Sequence, residues 1–110
     1  IFILKTIQIT DPKKFALEFS KFSAETLKKP ELYITVKYTY NEILTFQGTL
    51  DPAFTMTVFS LDNLNEQANE TYSKAFFDFF KEKLGIPGDR GYITFIDPGR
   101  AFFGWDLLRK

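Results

Sequence analysis

The sequence predicts an α+β fold in which two βαβ units form one four-stranded sheet, with two helices on one face. A Tyr-Ile-Thr phrase occurs twice, at 33–35 and 92–94, and each copy follows a helix-like segment that a proline ends. Reading outward from each copy gives the same order of strand, helix and strand. This order divides the chain into pseudo-repeats of about 1–50 and 51–110. At 110 residues, both repeats fit within a single domain.

The first unit begins with a strand over residues 1–9, whose apolar and β-branched residues indicate burial on both faces. A helix follows, with Asp11 as its N-cap and Pro12 at its first position. Its apolar stripe consists of Phe15, Phe19, Phe22 and Leu27. Two lysines are predicted in its last turn before a proline ends it. Alternation over 32–40 predicts the second strand, and a short strand is predicted over 43–47.

The second unit repeats this order, with a strand over 53–61, a helix that starts at candidate caps in 65–69, and a strand over 91–96. Gly85 is the predicted C-terminal stop of the helix. The apolar stripe of this helix consists of Tyr72, Ala75, Phe76, Phe79, Phe80 and Leu84. A final short strand is predicted over 102–104.

With both helices on one face, the other face of the sheet needs cover, which three such sheets closing around an axis would supply. The chain contains fourteen phenylalanines, more than the centre of one small core needs. We therefore expect many of these rings to lie between subunits, where aromatic residues concentrate. A Phe-rich core in a monomer is the alternative.

Composition excludes several classes of function. Lys plus Arg and Asp plus Glu number 14 each, so the basic excess of a nucleic-acid-binding protein is absent. Without cysteine or histidine, the chain lacks a disulfide framework and the commonest metal ligands and general base, and we expect no metal and no cofactor. No apolar run approaches the roughly 20 residues of a membrane span, so no membrane insertion is expected. The first five residues do not resemble a signal peptide, and a cytoplasmic protein is the expectation.

Taken alone, the candidate site residues favour ordinary structural roles. Lys29 lies at the end of a predicted helix, where a lysine usually interacts with the helix dipole in solvent. Tyr33 and Tyr92 occupy equivalent places in the two units, which core packing explains. Trp105 fits an edge or interface, with a ligand pocket as the alternative. These residues define a scaffold but no reaction.

Four segments, taken in order, resemble the macrophage migration inhibitory factor (MIF) family of the tautomerase superfamily. They are Lys-Pro-Glu-Leu-Tyr-Ile-Thr-Val at 29–36, Phe-Gln-Gly-Thr-Leu-Asp-Pro-Ala at 46–53, Asp-Arg-Gly-Tyr-Ile-Thr-Phe at 89–95 and Gly-Trp at 104–105. Their spacing matches along nearly the whole chain. The resemblance implies the tautomerase/MIF fold, in which three subunits form a homotrimer around a central barrel.

The resemblance also implies keto–enol tautomerisation of aromatic α-keto acids such as phenylpyruvate, and of dopachrome-type compounds. The base of the family is an N-terminal proline, which the pattern places one residue before Ile1. A terminal amine has a reference pKa of about 7.7–8.0, and a cationic pocket can lower it towards the operating range. If Ile1 is the true terminus, a primary amine remains and weak activity is expected.

Residue by residue, Lys29 matches the lysine that pairs with the substrate carboxylate, and Leu61 matches an aliphatic wall residue. Tyr92 matches a pocket tyrosine that comes from the neighbouring subunit, and Thr94 falls where many members have a polar residue. The remaining residues implied to line or rim the pocket are Ile1, Tyr33, Phe103 and Trp105.

Two departures from the family pattern restrict the function. The Cys-x-x-Cys position of the family reads Phe-Thr-Met-Thr at 54–57, which excludes thiol oxidoreductase activity. The ending at 106–110 also differs, which leaves substrate specificity and trimer stability open. The alternative function is a cytokine-like or effector protein that binds a cell-surface receptor and is secreted without a signal peptide.

Overall fold

The computed structural model describes the backbone of residues 2–5 and the whole of residues 10–104. Its strands are β1 (Phe2–Lys5), β2 (Lys37–Tyr40), β3 (Phe54–Phe59) and β4 (Gly91–Ile96), and its helices are α1 (Pro12–Leu27) and α2 (Glu66–Leu84). Short 3-10 turns occupy Glu31–Tyr33 and Arg100–Phe102.

The four strands form one sheet in the order β2-β1-β3-β4. β1 and β2 are parallel, as are β3 and β4, so each parallel pair and its helix make one βαβ unit. The two units join through the antiparallel pairing of β1 with β3. This topology confirms the predicted α+β fold with a single four-stranded sheet.

The helix termini follow from local side-chain chemistry. The Asp11 carboxylate accepts a hydrogen bond of 3.1 Å from the backbone N–H of Lys14, and Asn65 accepts one of 2.8 Å at the start of α2. Gly85 closes α2 in the left-handed conformation, as predicted. The prediction that Lys28 and Lys29 lie in the last turn of α1 is wrong, since Lys28 is already left-handed with φ 56°. A proline at position 30 disfavours helical backbone in the residue before it, so the helix ends earlier.

Both helices pack against the same face of the sheet. The ring of Phe19 lies 5.6 Å from that of Phe76 and 5.4 Å from that of Phe80, between centroids. The phenylalanines in or against this core are Phe15, Phe19, Phe22, Phe54, Phe76, Phe77, Phe79, Phe80 and Phe95. The expectation that many of the rings lie between subunits is therefore wrong for most of those described. The Phe-rich core within one chain accounts for them.

Three predicted strand segments have another conformation. Only the last part of 32–40 is a strand, because its start belongs to the 3-10 turn Glu31–Tyr33. In the segment 43–47, the β-type pairing is limited to one isolated bridge, between Phe46 and Thr49. In the segment 102–104, Phe102 is the last residue of the 3-10 turn, and residues 103–104 come after it without forming a strand. Alternating side chains report burial, but a strand also requires a neighbouring strand as hydrogen-bond partner. None pairs with these segments in the described part of the chain.

The second face of the sheet is open to solvent in the single chain. Tyr92 is 69% exposed there, and Phe59 and Ile96 are exposed at the other end of the same two strands. Alternate residues of β3 and β4 face the helices instead, which places Met56, Val58 and Phe95 in or against the core. The sheet face opposite the helices is thus a surface of mixed apolar and polar side chains, which a second sheet or subunit would cover.

Candidate functional site

A cavity of about 540 Å³ lies where the end of β3 meets the segment after α1. The turn at Arg100–Phe102 and the residue after it close a further side. The lining residues are Leu27, Lys29, Pro30, Tyr33, Ile34, Thr35, Phe59, Ser60, Leu61, Arg100 and Phe103. Most of these side chains are apolar or aromatic, and two are cationic. This composition suits a small ligand with an apolar body and an anionic end.

Lys29 is placed in this cavity by the left-handed turn at Lys28 that ends α1. Its half-buried ammonium donates a hydrogen bond of 2.8 Å to the carbonyl oxygen of Leu61. An ammonium has three donors, so one bond to a carbonyl leaves capacity for a ligand. The bond also joins the α1 side of the cavity to the segment that follows β3.

Arg100 is the second cation of the cavity. Its guanidinium donates through Nε and Nη2 to one oxygen of the Asp62 carboxylate, at 3.1 and 2.7 Å. Both side chains are largely exposed, so the pair contributes little to folding stability. Its effect is to hold the guanidinium at the rim of the cavity.

The Asp97 carboxylate stabilises the same corner. It accepts hydrogen bonds from the backbone N–H of Asp62 at 3.0 Å and of Gly99 at 2.9 Å. These two bonds, in that order, hold the pKa of Asp97 below its ordinary value of 3.8, with smaller contributions from the charges of Lys29 and Arg100. An ionised carboxylate therefore fastens the loop after β3 to the loop after β4.

The segment after β3 is fixed from beneath by neutral hydrogen bonds. Ser60 donates its hydroxyl to the side-chain oxygen of Asn63, whose amide donates to the carbonyl oxygen of Leu27 at 3.1 Å. The hydroxyl of Tyr72 donates to the backbone carbonyl of Asn63 at 3.0 Å. These contacts tie the segment to α1 and α2, so the Leu61 carbonyl that binds Lys29 is held in place.

The structure brings four of the predicted site residues together. Lys29, Tyr33, Leu61 and Phe103 all line the one cavity. Ile1 and Trp105 lie outside the described residues. The lining residues that the sequence did not predict are Leu27, Pro30, Ile34, Thr35, Phe59, Ser60 and Arg100. Six of these seven lie within two positions of a predicted residue in the sequence, and that proximity could have identified them, but Arg100 does not.

Tyr92 and Thr94 lie on the open face of the sheet, away from the cavity of their own chain. In the register of β3 and β4, Tyr92 is opposite Thr55, whereas Phe59 at the cavity is opposite Ile96. Four residues of strand separate these positions by about 13 Å. The ring of Tyr92 packs instead on Phe46, at 5.0 Å between centroids. That these two residues reach a neighbouring subunit's pocket stays a prediction.

Comparison with known proteins points to one family. The family described as "Macrophage migration inhibitory factor (MIF)" matches residues 6–106. A macrophage migration inhibitory factor homolog of Trichinella spiralis is 34% identical over 108 residues, which span 96% of this chain and 95% of that protein. The same factor of Rattus norvegicus is 32% identical over 95 residues, 86% of this chain and 83% of that protein.

Solved structures agree with the sequence matches. The migration inhibitory factor from Trichinella spiralis superposes with a TM-score of 0.88 at 31% identity, covering 96% of this chain and 94% of that one. A homologue from Prochlorococcus marinus gives 0.87 at 29% identity, covering 96% and 93%. Within the described residues, no cluster of three acidic side chains could hold a metal ion. No helix in that part of the chain has the length and apolarity to cross a membrane.

Proposed function

Because the chain belongs to the macrophage migration inhibitory factor family, we propose that it catalyses keto–enol tautomerisation of aromatic α-keto acids such as phenylpyruvate, and of dopachrome-type compounds. One observation carries the proposal: the ammonium of Lys29 lies in a cavity otherwise walled largely by aromatic and aliphatic side chains. The carboxylate of the substrate binds Lys29, and the aromatic ring of the substrate lies among Tyr33, Phe59 and Phe103. Leu61 supplies an aliphatic wall.

The reaction moves one proton from the carbon beside the keto group to the keto oxygen. The proposed base is the secondary amine of a proline immediately before Ile1. Cationic neighbours favour the neutral amine, which is the form that accepts a proton. When the carbon loses its proton, negative charge develops on the keto oxygen of a substrate that is already an anion. Lys29 stabilises this charge, so its effect is larger in the transition state than in the bound substrate.

The proposed assembly is a homotrimer whose sheets face a common axis. The open sheet face, with Tyr92, Phe59 and Ile96 exposed, supports it, since monomers rarely leave such a surface uncovered. Tyr92 and Thr94 then enter the cavity of the neighbouring subunit, which their distance from their own chain's cavity permits. Sedimentation velocity tests the assembly, and a stable monomer at micromolar concentration would contradict it.

A tautomerase assay with phenylpyruvate tests the activity, using a chain produced with proline directly before Ile1. Removing the Lys29 charge in Lys29→Ala is expected to lower kcat/KM roughly 10- to 100-fold, the value of one hydrogen bond to a charged group. Lys74→Ala is the matched control, because Lys74 lies on the exposed face of α2 in a pair with Asp78. Undiminished activity in Lys29→Ala would contradict the proposed role.

The names of the relatives favour a second function, in which the protein acts outside the cell as a ligand for a cell-surface receptor. This function uses the surface of the trimer and not the cavity. It implies secretion without a signal peptide from a protein otherwise held in the cytoplasm. Receptor binding by a protein with an acetylated N-terminal amine would support it. Complete loss of binding on acetylation would argue against it.

A further inference from the structure

We propose that Arg100 is a second substrate-binding residue, which shares the α-keto acid group of the substrate with Lys29. The inference rests on the proposed function, because it concerns the ligand of the same cavity. Its basis is that Lys29 and Arg100 are the two cations that line the cavity among the described residues. They are 71 residues apart in the sequence, and the fold brings them to one site.

The two cations are held by consecutive residues. The ammonium of Lys29 donates to the carbonyl oxygen of Leu61, and the guanidinium of Arg100 donates to the carboxylate of Asp62. Consecutive Cα atoms are about 3.8 Å apart, so both cations are anchored at the same short stretch of chain. The cationic groups therefore serve one end of the cavity.

The guanidinium is oriented but not saturated by its partner. Both of its bonds to Asp62 end on a single carboxylate oxygen. A guanidinium has five N–H donors in a fixed plane, so three remain beyond the two used here. Asp62 thus fixes the plane of the group and leaves a donor edge for a ligand.

The two side chains suit different parts of an α-keto acid. Its carboxylate and keto oxygens lie side by side and form an edge with two acceptors. A planar guanidinium matches such an edge with two parallel hydrogen bonds, whereas an ammonium acts as a point charge. Arg100 accordingly distinguishes anionic ligands of this type from neutral ligands of the same shape. Its exposure and its bond to Asp62 make its contribution smaller than that of Lys29.

Binding of a non-reactive pair of ligands tests the inference without turnover. 3-Phenylpropanoate and 3-phenylpropanamide have nearly the same shape, but only the first carries a charge. Titrations followed by NMR are expected to show that Arg100→Ala weakens the acid about tenfold, near the lower end for a hydrogen bond to a charged group. The amide is expected to bind with the same affinity to the parent protein and to Arg100→Ala. Arg100→Lys should recover part of the loss, because the charge returns without the planar fork.

Three outcomes would overturn the inference. These are equal losses for acid and amide, no loss for the acid, or no binding of the acid by the parent protein. Arg100→Gln, which retains most of the side chain, replaces the alanine variant if that variant does not fold. If the acid binds in an Arg100-dependent way while phenylpyruvate is not turned over, the inference holds and the proposed catalysis fails.

Discussion

Arg90, the residue before β4, is the charged side chain whose replacement should cost the fold most. It is only 8% exposed, and within the described part of the chain it forms no salt bridge. Its guanidinium donates instead to the carbonyl oxygens of Phe46 at 2.7 Å, Asp51 at 2.8 Å and Pro52 at 3.2 Å. It also lies 5.3 Å from the centroid of the Phe46 ring. One side chain thus fastens the loop between the two units to β4.

We expect Arg90→Ala to lower the free energy of unfolding by about 3 kcal/mol. Each hydrogen bond to a charged group contributes about 1.5–3 kcal/mol, and the contact with the Phe46 ring about 0.5–2 kcal/mol. The plain sum is too large, because Asp51 and Pro52 are exposed and their carbonyls regain water when the arginine is removed. Removing Arg90 also removes the cost of burying its charge, which offsets a further part of the loss in the free energy of unfolding. The carbonyl of Phe46 loses its bond from Arg90 but keeps the one from the backbone N–H of Thr49 at 3.1 Å, so it is not left without a donor.

Urea unfolding followed by circular dichroism measures this loss. Arg100→Ala is the matched control for stability, since its ion pair is exposed and should contribute less than about 1 kcal/mol. Arg90→Lys should fall between Arg90→Ala and the parent, because one ammonium cannot reach three carbonyls at once. If Arg90→Ala and Arg100→Ala cost the same within about 0.5 kcal/mol, the reasoning from burial is wrong.

Two further predictions concern packing and pH. A Cβ at Gly91 would lie 2.2 Å from the ring of Phe54, which is buried, so Gly91→Ala is expected to cost about 1–3 kcal/mol in urea unfolding. Gly88→Ala, with open space around the new Cβ, is the control, and equal effects would refute the clash. The lowered pKa of Asp97 means that its stabilisation is complete above its unfolded pKa and is lost as the pH falls through its folded pKa. The Tm of Asp97→Asn should therefore fall less steeply than that of the parent as the pH drops below about 4. The same dependence of Tm on pH in both proteins would contradict this.

Local chemistry made the helices and the second unit predictable. The helix ends depend on hydrogen bonds between residues a few positions apart, at Asp11, Asn65 and Gly85. Such local bonds can be predicted from the residue types at those positions. β3 and β4 were predicted because the second unit repeats the order of the first, and in the structure alternate residues of both strands face the helices. Strand pairing is not local, and the segments 43–47 and 102–104 were therefore predicted wrongly.

The site was predictable only in part, for the same reason. Lys29 and Tyr33 lie in a segment that resembles the family, and Leu61 matches a residue of its pocket, so the resemblance identified all three without a structure. Arg100 belongs to no such motif and enters the site through a contact with Asp62, 38 residues earlier in the chain. The crowding of the phenylalanines into one core likewise depends on how the helices pack. Such long-range contacts leave no periodic mark in the sequence.

The kcat/KM for phenylpyruvate, measured for the parent and Lys29→Ala with proline before Ile1, tests the central claim most directly. The account predicts measurable tautomerisation that falls roughly 10- to 100-fold when the Lys29 charge is removed. It also predicts weak activity when alanine replaces the added proline. Full activity in Lys29→Ala, or in the chain with alanine before Ile1, would contradict the account.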